Sequence, residues 1–329
     1  MINWGIIGCG NVTEVKSGPA FSKVEDSKLL AVMRRTRDLA EDYAARHHVP
    51  RVYSDAGALI NDPDINAVYV ATPPGSHMEY ALASIRAGKP VYIEKPMAVS
   101  YEECLRINEA AHNYGVPVFV AYYRRALPGF LFVRDLMEQG AIGKVRHIMI
   151  QLYKSPSENE KAGILPWRVD PAVSGGGHFF DLASHQLDYL DFLFGPVQKV
   201  TSLVLNQGGL YEAEDYVAAG MLFPGSIALS GTWCFNASPE SNRDIIEITG
   251  TEGLVRFSTF SFEPIVVENG SGRKEYVNVR PEHVQFNLIE KIVSELEGKG
   301  KSPSTGITGA RTSRVMDEVV AEYYRRMTR

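Results

Sequence analysis

The chain has 329 residues, 45% of them hydrophobic and 22% charged, which excludes a disordered protein and leaves room for two domains with separate cores. Its formal net charge of -5 gives no electrostatic case for binding nucleic acid or anionic membrane, so a small metabolite is the expected partner. Three scattered cysteines, Cys9, Cys104 and Cys234, form neither a disulfide framework nor a zinc module; with no signal-peptide pattern after Met1 and no apolar run of membrane-span length, a cytoplasmic protein is expected.

Residues 2–7 read as a buried strand that runs into Gly8-Cys9-Gly10-Asn11. The first glycine allows a tight turn, the second lets a pyrophosphate approach the backbone, and the N-terminus of the following helix supplies N–H groups. Thr13 stands where the third glycine of G-x-G-x-x-G belongs. That glycine serves helix–strand packing, so a slightly wider helix is expected rather than a lost site. Residues 28–33 form the second strand, and at its end an NAD site would carry an acid for the ribose 2′-hydroxyl. Arg34-Arg35-Thr36-Arg37 stands there instead, and a guanidinium that forks onto a 2′-phosphate favours NADP(H) over NAD(H).

A helix over 38–46 follows, then a third strand over 67–71 that Thr72-Pro73-Pro74-Gly75 breaks. The next helix carries Tyr80, Ala81, Ala83, Ser84 and Ala87 and ends at Gly88. His77, at its start, is a candidate for the nicotinamide side, with helix capping as the plainer role. Val91-Tyr92-Ile93 is a short buried strand closed by Glu94-Lys95-Pro96, because Pro96 denies the ladder a donor and biases Lys95 toward an extended backbone. Ligands of open α/β sheets bind outside the carboxyl ends of the strands, which makes Lys95 a candidate catalytic cation, a surface lysine being the alternative. A helix over 101–112 and a strand over 117–122 continue the alternation, which predicts a parallel, doubly wound sheet.

After Tyr122 the pattern changes to a helix over 127–138, a long half-exposed strand over 144–153, and mainly strands from 197 to 279 separated by turn signals such as Pro224-Gly225 and Asn269-Gly270. Without helical crossovers these strands should be mostly antiparallel. The expected organisation is therefore a Rossmann domain over 1–122 and, over 123–329, an α+β domain with a large, mostly antiparallel open sheet for substrate binding and association. Helical patterns over 282–297 and 308–327 flank a loop over 298–305. Within the second half, Gly175-Gly176-Gly177-His178-Phe179-Phe180-Asp181-Leu182-Ala183-Ser184-His185 is the most informative stretch. Asp181 and His185 are spaced i,i+4, hence on one helical face, and a neutral histidine there can act as general base while the carboxylate orients it or the substrate. Asp188, three further on, is expected to widen that polar face. The alternative is a helix N-terminus whose acids suit the macrodipole, with one core histidine, and His178 receives a structural reading.

The segments GCGNV, ATPPGSH, GKPVYIEKPMA and GGGHFFDLASHQLD, in that order and spacing, resemble the Gfo/Idh/MocA family of NAD(P)-dependent oxidoreductases over essentially the whole chain. The resemblance implies a Rossmann domain followed by an α/β domain whose open sheet makes homodimer or homotetramer contacts, and it implies that Lys95 and His185 are the catalytic pair, with Asp181 assisting. Carried onto this sequence, it places Gly8, Gly10, Asn11, Val12, Arg34 and Arg35 at the cofactor, with Thr72, Pro73, His77, Glu94 and Lys95 beside them. Trp167 and Arg168 match a position that contacts cofactor or substrate in similar reductases. Tyr123 and Arg124 join Lys95, Asp181 and His185 as substrate contacts. The departures are Thr13 for glycine, Arg34 for the acid of NAD members, and Ala183 for glycine, and only the second bears on function. The implied reaction is reversible hydride transfer between the nicotinamide and a secondary alcohol or ketone of a sugar or polyol, with no metal. His185 would remove the hydroxyl proton in oxidation and the Lys95 ammonium would stabilise the oxygen. Members that keep NAD bound and cleave glycosides, and dinucleotide-binding regulators, are the alternatives. Retention of both Lys95 and His185 argues against the regulator.

Overall fold

The computed structural model describes residues 1–327 and divides into two compact units: residues 1–127 with 281–310, and residues 128–280 with the chain from Arg311 onward. The second division falls inside the last helix, Gly306–Met327. Among the described residues no helix is long and apolar enough to cross a membrane.

In the first unit six parallel strands, β1 (Ile2–Ile7), β2 (Ser27–Met33), β3 (Arg51–Tyr53), β4 (Ala67–Val70), β5 (Val91–Ile93) and β6 (Val118–Val120), pair in the order β3-β2-β1-β4-β5-β6. The direction of strand addition reverses between β1 and β4, the switch point where such sheets bind ligands. The central strands are apolar throughout because both faces are covered. On one face Ile7, Val68, Val70, Val91 and Ile93 pack under the helices Ala56–Asn61, His77–Arg86 and Tyr101–Tyr114. On the other, Trp4, Phe21, Tyr69 and Tyr92 form a connected aromatic layer, Tyr69 and Tyr92 being register partners stacked at 4.8 Å. The returning segment 281–310 also belongs to this unit: Gln285, just before the helix Phe286–Leu296, accepts a hydrogen bond from the Tyr92 hydroxyl and donates its backbone N–H to the Lys16 carbonyl.

The second unit is built on an eight-stranded sheet of β7 (Val145–Tyr153), β8 (Lys199–Leu205), β9 (Tyr216–Phe223), β10 (Ile227–Cys234), β11 (Arg243–Gly250), β12 (Gly253–Phe257), β13 (Ile265–Asn269) and β14 (Gly272–Tyr276). The order is β14-β13-β12-β11-β7-β10-β9-β8, and every pairing except β7 with β10 is antiparallel. Side chains alternate in and out along each strand. Ile148, Ile150 and Leu152 of β7 are buried with Val217, Phe223, Trp233, Ile246 and Ile248 on the inner face. The helix Ser184–Phe194 is held by polar bonds: Trp233 Nε1 of β10 donates to Gln186 Oε1 (2.7 Å), Gln186 Nε2 to Thr259 Oγ1 just beyond β12 (3.0 Å), and the Tyr189 hydroxyl to the carbonyl of Phe130 on the helix Pro128–Glu138 (2.7 Å). The outer face is mixed. Leu203, Ala218, Thr232, Gln151 and Ile245 follow one another across five strands there, none of them buried.

Candidate active site

After β1 the backbone turns at Gly8, whose φ of +90° an L-residue rarely adopts; a Cβ there would also lie 2.7 Å from Thr72 Cγ2. At Gly10 a Cβ would meet only the Gly8 carbonyl oxygen, at 3.8 Å, so the missing side chain leaves open space above the turn, as close approach of a pyrophosphate requires. Asn11 and Val12 open the helix that follows, which is only the five residues Asn11–Val15. Thr13 does more than widen it. Its fully buried hydroxyl accepts from Gly10 N (3.0 Å) and donates to Gly10 O (2.8 Å), while its carbonyl accepts from the Tyr43 hydroxyl (2.9 Å). Gly18 makes room for this lock, since a Cβ there would fall 2.2 Å from both Thr13 O and the Tyr43 hydroxyl. Arg34, partly exposed at the end of β2, donates Nη1 to the Cys9 carbonyl (3.4 Å), and Arg35 is exposed. Burial pushes the Cys9 thiol up to about 11.

Thr72 and Pro73 follow β4, and Ser76 Oγ donates to Thr72 Oγ1 (2.8 Å). His77, the candidate for the nicotinamide side, opens the helix His77–Arg86. The ring is completely buried, with Nδ1 3.0 Å from the Pro96 carbonyl oxygen and Nε2 2.7 Å from that of Thr72, so it ties the turn after β4 to the turn after β5, and burial holds its pKa below the usual histidine range. The Glu94 carboxylate, nearly buried, accepts from the Tyr69 hydroxyl (2.5 Å), from Gln285 Nε2 (2.6 Å) and from the backbone N–H of Lys95 (3.1 Å). Lys95 itself is half-buried at the carboxyl end of β5. Tyr123 and Arg124 are both buried in the 3₁₀ turn Tyr123–Ala126, the guanidinium 4.9 Å from the Tyr123 ring centre.

In the second unit the glycine run lets the chain pack tightly before the site. A Cβ on Gly176 would fall 2.2 Å from the Phe180 ring and one on Gly177 would fall 2.6 Å from the Glu214 carbonyl oxygen. Residues Phe179–Ala183 form a π-helical turn that leads into Ser184–Phe194, a form that recurs at functional sites because it re-aims side chains. Asp181 lies on the π turn and pairs with Arg168 (3.2 Å), whose guanidinium is 4.5 Å from the Trp167 ring centre. His185, 4% exposed, sits on the α-helical part with its ring edge-on to Phe260. The adjacent Gln186 anchor to Trp233 holds that part of the helix still. Asp188 does not widen the polar face: it is fully buried and accepts from Thr312 Oγ1 (3.4 Å), because a helix also fills this side. His178 is half-buried and pairs with the buried Glu160, Nε2 lying 2.6 Å from Glu160 Oε1. Burial alone would raise the Glu160 carboxyl, but hydrogen bonds from Ser157 and His178 outweigh it and lower it. Among the described residues no group of three or more His, Cys, Asp or Glu is placed to hold a metal ion.

Thr13, Ser17, Tyr69 and Gln285 carry contacts to the turns after β1 and β5 that the motifs did not announce. Only Ser157-Glu160 had a local signal, the spacing of a capping box, which the structure contains.

Residues 2–122 match the oxidoreductase family described as having an NAD-binding Rossmann fold, and residues 130–256 match the GFO/IDH/MocA C-terminal domain. Oxidoreductase P35 of Formosa agariphila is 41% identical over 96% of this chain and 97% of its own length. The 1,5-anhydro-D-fructose reductase of Ensifer adhaerens is 25% identical over 94% of this chain and 92% of its own. A levoglucosan dehydrogenase structure with NADH and levoglucosan superposes with a TM-score of 0.86 at 22% identity, covering 97% of this chain and 96% of that one, and this likeness bears on the fold. With both halves of the chain matched in order and a relative of this identity along its length, the protein belongs to the Gfo/Idh/MocA family and is an oxidoreductase with an NAD-binding Rossmann domain.

Proposed function

We propose that the enzyme transfers a hydride between a nicotinamide cofactor, NADP(H) in preference to NAD(H), and a secondary alcohol or ketone of a sugar or polyol. The observation that carries this reading is the place of Lys95, directly after β5 at the carboxyl edge of a parallel sheet whose glycine turn follows β1. The open space at Gly10 and the Arg34 guanidinium beside the Cys9 carbonyl suit the pyrophosphate and the 2′-phosphate of such a cofactor. Bound there, the nicotinamide would accept or supply the hydride. The chain's own part is charge and proton handling: the Lys95 ammonium stabilises the substrate oxygen as it becomes alkoxide-like, and His185 takes the hydroxyl proton, with Asp181 orienting the base or the substrate. The named activities of the relatives, an anhydrofructose reductase among them, support a carbohydrate substrate. The uncovered outer face of the eight-stranded sheet supports association of two or four copies through it.

A turnover screen with both cofactors against sugars and polyols tests the assignment. At least one compound should be oxidised or reduced. On it, Lys95→Ala should lower turnover by about a hundredfold to a thousandfold, and His185→Ala by about a hundredfold to ten-thousandfold with a flattened profile between about pH 6 and 8. The double variant should be less than multiplicatively worse, since both groups serve one oxygen. Wild-type turnover in both single variants would place the chemistry elsewhere in the chain. Glycoside cleavage without net cofactor turnover would replace the reaction type.

A further inference from the structure

A buried carboxylate is tolerated only when its lone pairs are met by donors, and Glu94 is provided for by parts of the chain far apart in sequence. Gln285, 1% exposed, gives its Nε2 to Glu94 Oε1 (2.6 Å) across 191 residues of sequence, and its Oε1 accepts from the Tyr92 hydroxyl (2.7 Å). The amide turns its NH₂ group toward Glu94 and its carbonyl oxygen toward the Tyr92 hydroxyl, so that each contact joins a donor to an acceptor. The second donor on Oε1 is the Tyr69 hydroxyl, which is also 3.2 Å from Ser17 Oγ; Ser17 Oγ in turn lies 3.4 Å from the Val12 carbonyl oxygen. A line of polar groups therefore runs from the helix Asn11–Val15 to Glu94, whose Oε2 holds the backbone N–H of Lys95.

Stability alone does not call for this arrangement, because apolar side chains of similar volume usually serve a core at least as well as buried charge. The neighbouring strands show as much. Ile6, Tyr69, Tyr92 and Phe119 are successive register partners across β1, β4, β5 and β6, and hydroxyls occur only on the two strands that reach Glu94 and Gln285. We propose that Gln285 is a positioning residue that acts through Glu94 to hold Lys95 in one orientation. This rests on the reading of Lys95 as the catalytic cation, and the test separates the two.

The variants are Gln285→Met, of similar length but without the amide, Glu94→Gln, and the two combined, all in the full chain. The first measurement needs no cofactor or substrate: competitive acetylation by acetic anhydride, with the labelling of Lys95 read by mass spectrometry relative to the exposed Lys28 of the same molecules. Gln285→Met should raise the Lys95 ratio at least threefold, and adding it to Glu94→Gln should change the ratio no further. In turnover, Gln285→Met should lower kcat by about tenfold to a hundredfold with the KM for cofactor within about twofold, as misorientation of a reacting group does. An unchanged labelling ratio in a folded variant, or independent effects of the two substitutions, would overturn the proposal. A raised ratio with unchanged kcat would leave the hold of Gln285 on Lys95 standing and remove Lys95 from the chemistry. If Gln285→Met does not fold, Tyr92→Phe, which deletes only the bond that orients the amide, should move the labelling ratio in the same direction, and no movement overturns the proposal.

Discussion

Arg34 reaches across the turn after β1, with one guanidinium nitrogen donating to the Cys9 carbonyl and the rest of the fork available to a phosphate. Arg34→Asp should therefore weaken NADPH binding by about tenfold to a hundredfold and leave NADH binding equal or better. Calorimetry of both cofactors on both proteins decides it, and unchanged NADPH affinity would remove Arg34 from the 2′-phosphate. At this scale the sequence exposes the residues that interrupt a pattern. Lys95 stands out because Pro96 stops a strand beside it, and Asp181 and His185 because three glycines precede them. It conceals residues defined by what lies opposite. Helical spacing put Asp188 on the same face as Asp181 but says nothing of Thr312, 124 residues away, which meets it in the core. Gln285 looks like any polar residue before a helix until Tyr92 and Glu94 are seen against it.

Among the elements, the π turn Phe179–Ala183 depends on the glycine run, and the run depends on Glu214. The Glu214 carboxyl is fully buried and accepts from Gly177 N (2.8 Å) and the Tyr324 hydroxyl (2.5 Å); burial raises its pKa from the ordinary 4.5 to about 7. Between those two values the folded protein keeps a proton that the unfolded chain has lost. Stability is therefore greatest below about pH 4.5 as far as this group is concerned, falls by on the order of 3 kcal/mol as pH rises to about 7, and levels off above. Glu214→Gln should flatten that fall, which thermal melting at pH 5 and pH 7.5 reads directly; an equal drop in both proteins would place the titration elsewhere. Long elements were legible, since seven to nine residues of alternation or three turns of helix leave a periodic record. The three-residue β3 and the helices Ala20–Lys23 and Ala56–Asn61 left none, being too short to show a period. The π turn was equally silent, because its side-chain spacing over five residues passes for ordinary helix.

For the whole molecule, the mixed outer face of the eight-stranded sheet sets the expectation for assembly. Light scattering at micromolar concentration should give a dimer or tetramer, and substituting Ala218→Arg on that face should shift it toward monomer. A wild-type monomer would end this idea. The split of the first unit between 1–127 and 281–310 sets another expectation: residues 1–127 alone lack Gln285 and the helix Phe286–Leu296, so Glu94 loses a donor and the Tyr92 hydroxyl its acceptor. That fragment should melt without cooperativity by circular dichroism, and joining 281–310 to it through a short linker should restore a cooperative transition.

The split also sets an order of events at the ribosome. The segment that completes the cofactor-binding half is made after all of the eight-stranded sheet. The nascent first half must wait, with Tyr92 and Glu94 lacking their partner Gln285, while more than 150 intervening residues (128–280) emerge and begin to pair their strands. Chaperone demand should accordingly last until residue 310 has emerged, and gene fusions or domain exchanges cut after the first sheet should fail where cuts that carry residue 310 along succeed.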